Sequence, residues 1–119
     1  MLRKQLKDIL TGIGATATPG NIIFMKAWRQ AEGGSALNNP WNSTQTVGTK
    51  ISNYNYVGVK NYFVYEDGVK ATVKTITNGR YNTVVRALKK GLKDKAEALE
   101  LARLVQKYDM TGAIPTKWQ

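Results

Sequence analysis

Apolar residues recur along the chain with two different spacings. Leu2, Leu6, Ile9 and Leu10 fall on one side of a helix, predicting a short amphipathic helix over residues 2–10 that Gly12 or Gly14 ends. The small, polar stretch from Gly12 to Gly20 reads as a loop. Asn21 is placed to N-cap a second helix from Ile22 to about Glu32, and Gly33-Gly34 ends it, because glycine adopts the left-handed conformation beyond a helix without steric cost. Residues 35–62 change character: Asn, Pro, Gly and Ser punctuate Val47, Ile51, Tyr54, Tyr56 and Val57, which suits short strands and shaped loops.

Helical spacing returns at Asp67. Val69, Thr72, Val73 and Ile76 share a face until Asn78-Gly79 breaks the run. Tyr81, Val84, Val85 and Leu88 define the next helix, stopped by Gly91. Asp94 and Glu97 form a capping pair for the last one, whose predicted buried face is Ala98, Leu99, Ala102, Val105 and Tyr108. The irregular tail places Ile114 and Trp118 to fold back on the body. With no internal repeat or linker, residues 1–119 read as a single domain: a mainly helical α+β fold with a small β region after the second helix.

Composition narrows the chemistry. There is no Cys and no His, so disulfides, thiolate zinc sites, cysteine nucleophiles and imidazole bases are excluded, and no metal site or cofactor is read. Carboxylates, hydroxyls, amides and lysines remain. Between Asp8 and Glu66 the chain holds one acidic residue, Glu32. On the predicted helix it shares a face with Trp28 and Met25, and it sits at the negative end of the helix dipole. Both features disfavour its ionised form, against Lys26 and Arg29 nearby. A carboxyl that keeps its proton near neutral pH suits a general acid for glycosidic cleavage; the alternative is a surface Glu at a helix end. Amides and aromatic rings follow within thirty residues (Asn38, Asn39, Asn42, Tyr54, Asn55, Tyr56), and carbohydrate sites need both.

The string Ala27-Trp28-Arg29-Gln30-Ala31-Glu32-Gly33-Gly34, followed by Asn39-Pro40-Trp41-Asn42 and Gly58-Val59-Lys60-Asn61-Tyr62, resembles the lysozyme-like superfamily. The similarity is to phage-type peptidoglycan-cleaving domains related to lytic transglycosylases and goose-type lysozymes, and it covers residues 20–90. Glu66 to Thr72 and the Asn78-Gly79-Arg80-Tyr81 turn match the phage pattern too. The resemblance implies a lysozyme-like fold with Glu32 as the catalytic acid and the β region as one wall of a glycan cleft. Two departures stand out. Gly33 replaces the Ser that follows the Glu, and the Gly-Leu-Met-Gln stretch of the transglycosylases has no clear copy.

The implied activity is that of a lysozyme, an endolysin or virion-associated lysin, cleaving the β-1,4 bond between N-acetylmuramic acid and N-acetylglucosamine. A lytic transglycosylase giving the anhydro product is the alternative. No acid lies in the predicted β region, and Glu66 and Asp67 read as acids at a helix start. A single-Glu mechanism is therefore expected, completed by water or the sugar's 6-hydroxyl, with Thr44, Thr46 and Thr49 as candidates to position a water. Substrate contact is expected from Tyr62, Tyr81, Trp41, Asn42 and Asn55. Core packing is the other reading for Tyr81 and Trp41, and Trp28 is assigned to the core.

Eighteen Lys+Arg against eight Asp+Glu give a formal charge of +10. Ten of the basic residues lie between Lys70 and Lys107, against three acids. Such a surface attracts polyanions: anionic wall polymers, or nucleic acid. Nucleic acid is disfavoured because no recognition motif is evident and the aromatics cluster with Asn near Glu32 rather than among the lysines. A basic virion component without activity is the non-enzymatic reading. No apolar run is long enough to span a membrane, and Met1–Leu10 lacks the features of a signal peptide. Action on the wall from a virion or within a host cell is the expected setting.

Overall fold

A computed structural model describes residues 2–108. Among these residues, five helices surround one main core and a two-stranded antiparallel sheet is inserted after the second helix, so the mainly helical α+β expectation holds. The predicted packing of Ile114 and Trp118 lies outside the described residues.

Helix α1 (Leu2–Ile13) buries Leu6, Ile9, Leu10 and Ile13, continuing one turn beyond the predicted end. Helix α2 (Pro19–Glu32) starts earlier than its sequence suggests. Thr18 is the N-cap, its Oγ1 accepting from Asn21 N at 3.1 Å, and Pro19 takes the first helical position. Asn21 is therefore not the cap. Its fully buried carboxamide instead donates to Thr16 O (2.8 Å) and Leu88 O (2.9 Å) and accepts from Leu92 N (3.0 Å). It binds the start of α2 to the far end of the chain's fourth helix. At the other end Gly33 takes the left-handed conformation (φ 63°) and its N–H returns to Arg29 O.

Strands β1 (Ile51–Asn53) and β2 (Lys60–Tyr62) pair with Ile51 opposite Tyr62 and Asn53 opposite Lys60. Three residues a side is a weak ribbon, and asparagine side chains reinforce it. The buried Asn39 donates to both Ser43 O and Lys60 O at 2.8 Å and accepts from Ser43 N at 2.7 Å. Asn38, in the left-handed region (φ 54°), donates to Tyr62 O at 2.8 Å.

Helix α3 (Tyr65–Ile76) follows directly, two residues ahead of its predicted start, with Glu66 and Asp67 in its first turn as expected. Tyr65 ties it to α1. The Tyr65 hydroxyl donates to Asp8 Oδ2 (2.7 Å), Lys4 Nζ donates to the same oxygen (2.8 Å), and the Lys4 ammonium lies 4.5 Å from the centre of the Tyr65 ring. Helix α4 (Asn82–Lys90) ends at Gly91, which has φ 88°. Helix α5 (Lys95–Tyr108) begins where Asp94 Oδ1 accepts from Glu97 N at 2.8 Å, as the capping pair predicts.

One correction concerns α5. Leu99 is exposed, while Leu101 and Leu104 join Ala98, Ala102 and Val105 in the core. Ala98, Leu101, Ala102 and Val105 keep i, i+3, i+4, i+7 spacing, and Leu99 falls about 60° beyond the edge of that stripe. The face so formed lies along α2, the most extensive helix–helix contact described.

Asn21→Ala removes three hydrogen bonds, two of them from the buried Leu88 and Leu92 backbone, and should lower stability by about 3 kcal/mol in urea titration. Hydrogen bonds from Lys4, then Tyr65, hold the Asp8 carboxyl below the usual carboxylate range. A lowered folded value means that this stabilisation is complete above the ordinary value and is lost as pH falls through the folded one. Asp8→Asn should accordingly be less stable than the parent at neutral pH, with the gap narrowing as unfolding is followed into acid below about pH 4.

Candidate functional site

Helix α2 delivers Glu32 to its own C-terminal end, half-buried, one turn after Trp28. Trp28 is the hub of an aromatic cluster. Its ring lies 5.5 Å from Phe24, tilted at 47°, and meets Trp41 (5.5 Å, 83°) and Tyr81 (5.1 Å, 66°) edge-to-face. Trp28, Ala31, Glu32, Tyr81, Val105 and Gln106 line a cavity of about 260 Å³. Its walls come from the end of α2, the residue before α4 and the last turns of α5. The volume is just below the roughly 300–1,000 Å³ usual for ligand pockets, enough for about one sugar ring.

The loop after α2 closes tightly around this end of the helix. Asn42, left-handed at φ 56°, donates from Nδ2 to Glu32 O at 3.1 Å. A Cβ on Gly34 would sit 2.4 Å from Pro40 O and 2.8 Å from Asn39 O, so the loop backbone packs directly on the glycine. Two donors at this end, Arg29 Nε and Trp41 Nε1, are buried without a hydrogen-bond partner. Leaving such a donor unmet costs about 1–3 kcal/mol. A carboxyl on a cavity wall can pass a proton to an oxygen lodged there.

No family model, curated protein or solved structure matches this chain.

Of the residues expected at a site, Glu32 and Tyr81 come together on the cavity wall. Asn42 reaches Glu32 through its backbone, a positioning contact rather than a ligand-facing one. Trp41 is buried behind Trp28 and covers the core. Asn55 accepts from Val59 N at 3.1 Å and shapes the hairpin loop. Tyr62 is a correction: it is fully buried with Val47 and Ala71 in a second small core, and its hydroxyl donates to Gln45 O. Burial pushes the ionisation of that hydroxyl up, which keeps it a donor. As last residue of β2, Tyr62 turns toward α3, so a glycan cannot reach it. Thr44, Thr46 and Thr49 are exposed on the loop before β1.

Ala31, Val105 and Gln106 were not anticipated at the site. Val105 was legible as a core position, but its place opposite Glu32 depends on the pairing of α2 with α5. Among the described residues no group of three or more His, Cys, Asp or Glu is placed to hold a metal ion.

The two glycines after Glu32 should respond differently to alanine. Gly34→Ala forces the loop away and should cost about 1–3 kcal/mol, with a changed near-ultraviolet signal from the Trp28–Trp41 pair. Gly33→Ala meets no atom within 4 Å and bears only left-handed strain, about 1 kcal/mol, in the same thermal unfolding assay.

Proposed function

We propose that the domain is a peptidoglycan-cleaving glycosidase of lysozyme-like fold. Glu32 acts as general acid on the β-1,4 bond between N-acetylmuramic acid and N-acetylglucosamine. The observation that carries this reading is the position of Glu32: at the C-terminal end of α2, on the wall of a cavity that Trp28 and Tyr81 also line, with its backbone carbonyl held by Asn42 of the following loop. The residue resemblance over 20–90 to phage-type lysins points the same way, and suggests an endolysin or virion-associated lysin.

Glu32 protonates the leaving glycosidic oxygen, with Tyr81 beside it on the cavity wall as the substrate contact. Glu32 is the one carboxylate on the cavity lining among the described residues, and Glu66 and Asp67 belong to the first turn of α3. That supports completion by water or by the sugar's own 6-hydroxyl rather than by a second carboxylate at the short spacing retaining enzymes use. The 6-hydroxyl route is the lytic transglycosylase alternative, which leaves an anhydro end.

Incubating the protein and Glu32→Gln with purified peptidoglycan, then weighing the released muropeptides by mass spectrometry, tests the proposal. The wild type should release fragments, and Glu32→Gln should be slower by at least about 100-fold. Reducing ends identify hydrolysis; ends lighter by one water identify transglycosylation. Equal rates for the two proteins would remove Glu32 from the mechanism. Release by neither would leave the non-enzymatic basic virion protein as the reading.

A further inference from the structure

Five cations occupy the ten residues from Arg86 to Lys95, against one acid, Asp94. All five are exposed. Arg86, Lys89 and Lys90 share the outer face of α4 at i, i+3 and i+4, opposite the buried Val84 and Leu88, and Lys93 and Lys95 follow in the turn to α5. Asp94 is engaged, its Oδ1 accepting from Glu97 N, so it serves the start of α5.

This basic segment is held in shape from beneath. Asn21 grips Leu88 O and Leu92 N, one on each side of Lys89-Lys90-Gly91. Gly20 packs so closely on Leu92 that a Cβ there would lie 2.3 Å from its carbonyl oxygen. A turn fixed in this way presents its charges without having to be ordered on binding, which removes part of the entropic cost of association.

Helix α4 begins immediately after Tyr81, and by helical rise Arg86 to Lys90 lie about 8–14 Å further along its axis, on the face away from the buried Val84 and Leu88. The large exposed apolar residues described elsewhere, such as Tyr54, Tyr56 and Phe63, belong to the β region and its flanks, and none lies between Arg86 and Lys95. A surface of fixed cations with no stacking ring suits a polymer recognised through its phosphates alone. It lacks the aromatic platforms that single-stranded nucleic acid sites use.

We infer that the Arg86–Lys95 face docks a phosphodiester-linked polyol chain, an anionic polymer of the bacterial wall. The wall as partner rests on the glycosidase reading; the polyanion surface itself does not.

The test uses soluble poly(glycerol phosphate) as the probe and two variants with equal charge loss. One changes Arg86, Lys89, Lys90 and Lys93 to Gln. The other changes Arg3, Lys7, Lys26 and Lys50, also exposed, to Gln. Binding is titrated against salt, with single- and double-stranded DNA of matched charge as competitors. The first variant should bind at least about tenfold more weakly at 0.15 M salt, and its plot of log affinity against log salt should flatten by about 3. The second should stay close to wild type. On sacculi stripped of phosphate polymers the first variant should cleave at the wild-type rate, and on intact walls more slowly. Equal loss in both variants would reduce the effect to net charge and overturn the inference. Preference for DNA through the same four residues would overturn it in favour of a nucleic-acid interface. Failure of the wild type to cleave stripped sacculi would defeat the glycosidase reading alone, leaving the binding result to be judged separately.

Discussion

Three residues a side give the β1–β2 ribbon too few ladder bonds to stand alone, and the carboxamide of Asn39 supplies what the ladder lacks. Its three short hydrogen bonds reach the backbone of Ser43 on one side and of Lys60 on the other, in a place sealed from water. Asn38 adds a bond to Tyr62 O, and Lys60 N donates to Ser43 O. The loop, the ribbon and the end of α2 thus form one unit. Without that buried amide the backbone groups it serves would be left dry and unmet, which is why the rest of the site depends on it.

Much of this architecture was legible because helical periodicity is a long-range pattern. Each helix has at least two turns of apolar spacing, and glycines or capping acids mark most of the ends. The misreadings arise where one residue type serves two physical purposes. Asn21 has the chemistry of an N-cap, but a buried carboxamide can also splice distant backbones, and Thr18 with Pro19 held the stronger claim to the helix start. In β2 the three residues are too few for alternation to reveal which side faces inward, so Tyr62 read as a surface ring.

The candidate site divides along the same line. Glu32 could be singled out because it is the one acid between Asp8 and Glu66 and precedes two glycines, and Tyr81 because it opens a helix after a turn. The residues contributed by α5 could not, since only the folded packing of α2 against α5 brings Val105 and Gln106 opposite Glu32. Trp28 is both core and lining, so the aromatic cluster couples stability to the shape of the cavity: a change in Trp41, buried behind it, alters the wall without touching a ligand.

Helix α2 is clamped at both ends by asparagines from different parts of the fold. Asn21, in its first turn, grips the close of α4; Asn42, in the loop beyond, holds the carbonyl of its last residue. Fourteen residues of α-helix make a rod about 21 Å long. A rod locked at each tip cannot slide or rotate on its own, so the splice to α4 at one end and the cavity wall at the other keep a constant separation.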